Sequence, residues 1–86
     1  MSKNATLTVS WEDGSIDTFE ATWNKNSIES DAAERIFFND EFDEKMGDGG
    51  PNMDIHLNEN PKVKSRVHFE PEAGELYSTR PCKTVN

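Results

Sequence analysis

SIESDAAERIFFNDEFDEKM, residues 27–46, is the stretch on which the fold turns. Its spacing predicts a helix. Asp31 with Glu34 fits a capping box, and Ser30 and Ser27 are rival N-caps. Ala32, Ala33, Ile36 and Phe37 make one apolar stripe. Phe38, Phe42 and Met46 follow at four-residue spacing on an adjacent stripe. Gly47 stands where a C′ glycine ends a helix. Because the stripe rotates, a kink near Asn39 and Asp40 is expected. A short strand over Arg35–Phe38 is the rival assignment.

Upstream, ATLTVSWEDGSIDTFEATW (residues 5–23) reads as a β-hairpin. Ala5, Leu7, Val9 and Trp11 alternate with polar residues, the period of a half-buried strand. Asp13-Gly14 is a turn signal. A two-residue loop pairs residues whose numbers sum to 27, which mixes the faces. A sum of 28 pairs Val9 with Phe19, Leu7 with Ala21 and Ala5 with Trp23, and buries one clean face. The expectation is a three-residue loop or a bulge at 12–16.

Downstream, Met53, Ile55 and Leu57 alternate, and so do Val63, Ser65, Val67 and Phe69. Asn58-Glu59-Asn60-Pro61 turns between them. A register of sum 120 sets Asp54 across from Arg66 and His56 across from Lys64. Pro71–Gly74 makes a further turn, Glu75–Arg80 a last strand, and residues 82–86 a frayed tail. The order is ββαβββ. The fold class expected is α+β, an antiparallel sheet of four to five strands with one helix packed on one face.

At 86 residues this is one domain, small enough that its core is thin. Cys82 is the only cysteine, so no intramolecular disulfide forms. No apolar run approaches the roughly 18 residues of a membrane helix. The start MSKNATLTVS has no apolar core of a signal peptide, which points to the cytoplasm and leaves the Asn4-Ala5-Thr6 sequon a chance match.

Charge is the most informative feature. The net is −8. Residues 1–50 carry twelve acidic and four basic side chains, and residues 51–86 carry five of each. Such a field repels nucleic acid and anionic membrane and attracts basic surfaces.

Residues 39–50 fail as an EF-hand, because position 6 counted from Asn39 is Glu44 and position 3 counted from Asp48 is Gly50. His56, His68 and Cys82 match no zinc signature. No GxSxG elbow and no P-loop occurs. Neither an enzyme nor a cofactor is expected. The outward row Lys62, Lys64, Arg66 and His68 is the one basic feature. It reads first as cross-strand charge pairing, and second as a small contact patch for anions or nucleic acid.

The acidic half suggests the function. On a helix, carboxylates three or four residues apart lie roughly 5–6 Å from one another. Glu34, Asp40, Glu41, Asp43 and Glu44, with Asp48 beyond, would form a ladder of negative points. Glu12, Asp13, Asp17 and Glu20 of the hairpin would add to it. A rigid acidic ladder can occupy the basic groove of a nucleic-acid-binding protein, with Phe38, Phe42 or Trp23 as apolar anchors if exposed, although the spacing of these aromatics reads first as core. The expected partner is therefore a basic, nucleic-acid-binding protein, with no direct nucleic-acid or membrane contact.

In size and charge the chain resembles the small acidic inhibitors that phages and mobile elements carry. Uracil-DNA glycosylase inhibitors, anti-restriction proteins and some anti-CRISPR proteins are of this kind. No motif matches one of those families, so no residue role is carried over. The rivals are an assembly subunit using a sheet edge or an apolar patch, and a carboxylate-rich cation-binding domain.

Overall fold

A computed structural model describes residues 3–37, 51–70 and 74–82. Six strands and one helix follow in the order β1 (Lys3–Ser10), β2 (Ile16–Asn24), β3 (Ser27–Glu29), α1 (Asp31–Phe37), β4 (Asn52–Leu57), β5 (Lys64–Glu70) and β6 (Glu75–Ser78). The strands pair antiparallel into a closed barrel of order β1-β2-β3-β6-β5-β4. This corrects the expected open sheet of four to five strands under a helix. Each strand does carry one apolar face, but those faces close on one another. Among the described residues the helix has seven residues, and it crosses the end of the barrel instead of lying on a sheet face.

The difference begins at residue 27. Ser27–Glu29 was expected inside the helix and is a strand, with Ile28 buried between two exposed neighbours. It pairs Thr22–Asn24 of β2 on one side and Leu76–Tyr77 of β6 on the other. Without this short bridge the first hairpin and the last strands would form an open sheet.

Helix α1 starts at Ser30, one of the rival N-caps. The Ala33 amide donates to Ser30 Oγ at 3.3 Å, and the same hydroxyl donates to the Glu20 carbonyl at 2.7 Å. One side chain thus caps the helix and ties it to β2. At the other end, the Phe37 ring lies 6.2 Å from Trp11 and 5.0 Å from Phe69. Beyond the reach of β3, the helix therefore runs from Glu20 to the hairpin end of the barrel. Ala33 and Phe37 are buried there. The expected helical continuation to Met46 lies outside the described residues.

The first hairpin shows which residues alternation can and cannot specify. Its pairs sum to 26, with Leu7 opposite Phe19, Ala5 opposite Ala21 and Lys3 opposite Trp23. The expected sum was 28. Both even sums point the same side chains inward, so burial cannot separate them. The loop decides. Trp11 N–H donates to the Ser15 carbonyl at 2.8 Å and Gly14 N–H to the Trp11 carbonyl at 3.0 Å, leaving three loop residues, 12–14. Gly14 takes φ +92°, a conformation that favours glycine. Asp13 Oδ1 accepts from the Ser15 amide and hydroxyl. A three-residue loop is as expected, but it centres on Asp13.

β4 and β5 pair with the expected sum of 120. β1 also pairs β4, Leu7 with Ile55 and Val9 with Met53. The core holds Leu7, Val9, Trp11, Trp23, Ile28, Phe37, Met53, Ile55, Leu57, Val67 and Leu76. Trp23 is 1% exposed, so it is core and not an anchor for a partner. Phe38 and Phe42 lie outside the described residues.

Candidate functional site

The barrel sorts charge by strand. In the ring of six, β2 lies three strands from β5 in either direction, so the two occupy opposite walls. β2, β3 and α1 carry the outward acids Glu20, Glu29 and Asp31 among uncharged residues and Arg35. β5 and the segment after β6 carry Lys64, Arg66, His68 and Arg80 outward, with Glu70 at the end of β5.

On the acidic side, Glu20 points outward from β2, and Glu29 and Asp31 flank the Ser30 cap. All three line a groove of about 630 Å³, in which Arg35 is the one basic lining residue. The Ser30–Glu20 bond holds β2 and the start of α1 together here. Glu34 is half-buried on α1. From sequence, Glu29 was not singled out, and Asp31 only as half of a capping box. Read as part of a longer helix, Glu29 had no reason to face Glu20; in a strand paired to β2, it sits across from Thr22.

The hairpin acids divide. Glu12 and Asp13 are exposed at the loop. Asp13 uses its carboxylate to shape the turn. Asp17 Oδ2 accepts the indole N–H of buried Trp11 at 2.7 Å, so Asp17 holds the fold. These three lie at the loop end of β2, away from the groove floor by Glu20 and Ser30. The structure therefore gathers Glu20 with α1 and does not join the loop acids to them. Asp40, Glu41, Asp43, Glu44 and Asp48 lie outside the described residues.

On the opposite wall, Lys64, Arg66 and His68 alternate outward along β5, while Lys62 sits in the preceding turn. A second groove, of about 570 Å³, is lined by Asp54, His56, Lys64, Arg66, Thr79 and Arg80. Arg80 is a member that sequence reasoning missed. It reaches β5 because its amide donates to Ser65 Oγ at 3.1 Å and the Thr79 amide to the Arg66 carbonyl at 3.0 Å.

Among the described residues, no three of His, Cys, Asp and Glu come together as a metal site. Cys82 is half-buried, and burial first of all, with Glu59 nearby, raises its thiol pKa above the ordinary value against the lowering influence of Lys3. A raised pKa means less thiolate at neutral pH and a weaker nucleophile. No described helix is long and apolar enough to cross a membrane. Comparison with protein-family models, curated proteins and solved structures finds no match to this chain.

Proposed function

We propose that the protein is a non-enzymatic binding module of the cytoplasm that presents its acidic wall to a basic surface of another protein. The partner class we favour is a nucleic-acid-binding protein, whose cationic groove the acidic wall occupies in place of phosphates. On this reading the chain is an inhibitor of the DNA-mimic type, such as a phage or mobile element would carry against host defence.

One observation carries the proposal: Glu20, Glu29 and Asp31 converge on a single groove, where the Ser30–Glu20 hydrogen bond ties β2 to α1. Carboxylates carried side by side on neighbouring elements present one negative surface to a basic partner. With Lys64, Arg66 and Arg80 on the far wall, the molecule also has a charge asymmetry that orients it during approach. The rival of an assembly subunit draws less support. Barrel closure leaves no wholly open sheet edge, and among the described residues only Ile16 (64% exposed) and Tyr77 (40%) are large exposed hydrophobics.

The test is capture from host lysate at low and high salt, followed by identification of the retained protein. A basic nucleic-acid-binding protein should be retained at low salt and released as salt rises, because screening acts on exposed charges. Glu20→Lys, Glu29→Lys and Asp31→Lys combined should abolish capture, while Lys64→Glu with Arg66→Glu should leave it intact. Lysine replacement of Asp40, Glu41, Asp43 and Glu44 tests the remaining acids in the same way. Capture that survives both sets of acidic reversals overturns the proposal.

A further inference from the structure

The basic wall has no role in that function, and it is built from more than scattered lysines. Lys64, Arg66 and His68 stand at alternate positions of β5, about 7 Å apart along the strand. Arg80 is brought beside them by its backbone bond to Ser65 Oγ. Lys64, Arg66 and Arg80 make no ion pair among the described residues, where the one ion pair is Lys3–Glu59 at 3.5 Å. Asp54 stands across from Arg66 in register, yet the two do not pair as ions. Next along the same wall, His68 lies opposite Tyr77 of β6, ring centroids 5.6 Å apart, with Tyr77 40% exposed.

We propose that this wall binds single-stranded nucleic acid, with phosphates on Lys64, Arg66 and Arg80 and a base stacked on the Tyr77–His68 ring pair. A cationic groove beside an exposed aromatic surface is the combination that single strands require: charge follows the backbone, and a ring face accepts any base. An acidic peptide would meet the same cations but would gain little from the rings. A duplex would keep its bases stacked away from them.

The net charge of −8 does not forbid this contact. β2 and β5 are separated by three strand spacings of about 4.8 Å along the wall, more than the Debye length of about 8 Å at physiological ionic strength, and the acids on the wall itself, Glu70 and Glu75, pair in register at the end of β5 away from Lys64 and Arg66. The acidic wall slows approach, while the local cations set the contact itself.

Fluorescence anisotropy of labelled oligo-dT and oligo-U of about 12 nucleotides, a length within the site size of small barrels, tests the proposal on the full chain. Three phosphate contacts on a single strand predict a slope of log K against log salt of about −2. Arg66→Ala should lower that slope by about 0.7. Tyr77→Ala should weaken binding roughly tenfold while Tyr77→Phe preserves it, because the ring and not the hydroxyl stacks. Asp54→Asn should tighten binding, since it removes the one anion in the groove. Circular dichroism and tryptophan emission check each fold, and Tyr77→Leu replaces Tyr77→Ala if the alanine variant unfolds.

Failure of both oligonucleotides to bind at low salt overturns the proposal. So does binding indifferent to Lys64→Glu with Arg66→Glu. Inorganic polyphosphate that binds as tightly as the oligonucleotides, together with no loss in the Tyr77 ring-removal variants, would show a charge-only surface and sink the nucleic-acid assignment. Because the wall lies opposite Glu20 on β2, either result leaves the acidic-wall function standing.

Discussion

Ser78 points into the barrel from β6, where its hydroxyl accepts the buried indole N–H of Trp23 at 3.1 Å. The same hydroxyl donates to the Arg80 carbonyl. Its backbone amide donates to the Asn26 carbonyl at 2.8 Å, and Asn26 Nδ2 returns a bond to the Ser78 carbonyl. A residue 2% exposed thus fastens β6 to the β2–β3 turn and satisfies the only polar atom of the Trp23 side chain. Ser78→Ala should orphan that N–H and cost about 1–3 kcal/mol in urea unfolding followed by tryptophan emission. Adding Trp23→Phe removes the orphaned group, so the double variant should lose less than the sum of the two singles. Alternation made the inward position of Trp23 readable from sequence. The need of its N–H for an acceptor 55 residues away was not.

At the scale of elements, propensity and tertiary demand disagree at one place. Ser27-Ile28-Glu29 precedes a capped helix and could extend it by pattern alone, yet it is drawn into pairing with β2 and β6. Three residues are too few to announce a strand by period, and what selects them is a partner late in the chain. Nearby pairings were far more legible. The β4–β5 register of sum 120, which sets Asp54 across from Arg66 and His56 across from Lys64, is as expected. The first hairpin was half legible, its inward faces right and its register displaced, because a step of two residues leaves every side chain on its own face. The acidic groove was missed in part for the same reason as β3. Glu20 was legible on its strand, whereas Glu29 acquires its position only once residue 28 turns inward. Ser30 then joins strand to helix. Ser30→Ala removes the cap on Ala33 and leaves the Glu20 carbonyl without its donor, so it should cost about 1–2 kcal/mol in thermal or urea unfolding. Ser30→Thr keeps the hydroxyl and should recover most of the loss.

For the whole molecule, closure depends on the thinnest of the six junctions. β1 and β2 share eight residue pairs, while β3 and β6 share two, Ser27 with Tyr77 and Ile28 with Leu76. Free energy of local opening follows the number of bonds and buried contacts that must be given up, and here the ladder contributes only two pairs, backed by the Ser78 bonds to Asn26 and Trp23, so the ring should part first at this clasp. Native-state hydrogen exchange should find the amides of residues 27–28 and 76–77 least protected among the strands, and those of residues 5–9 most protected. Uniform protection around the ring would refute this order. The clasp includes Tyr77, whose ring faces outward on the basic wall, so occupancy at that wall and closure of the cylinder are thermodynamically linked. Anything that grips Tyr77 in its closed position holds the hoop shut, and loosening the hoop scatters the surface that does the gripping.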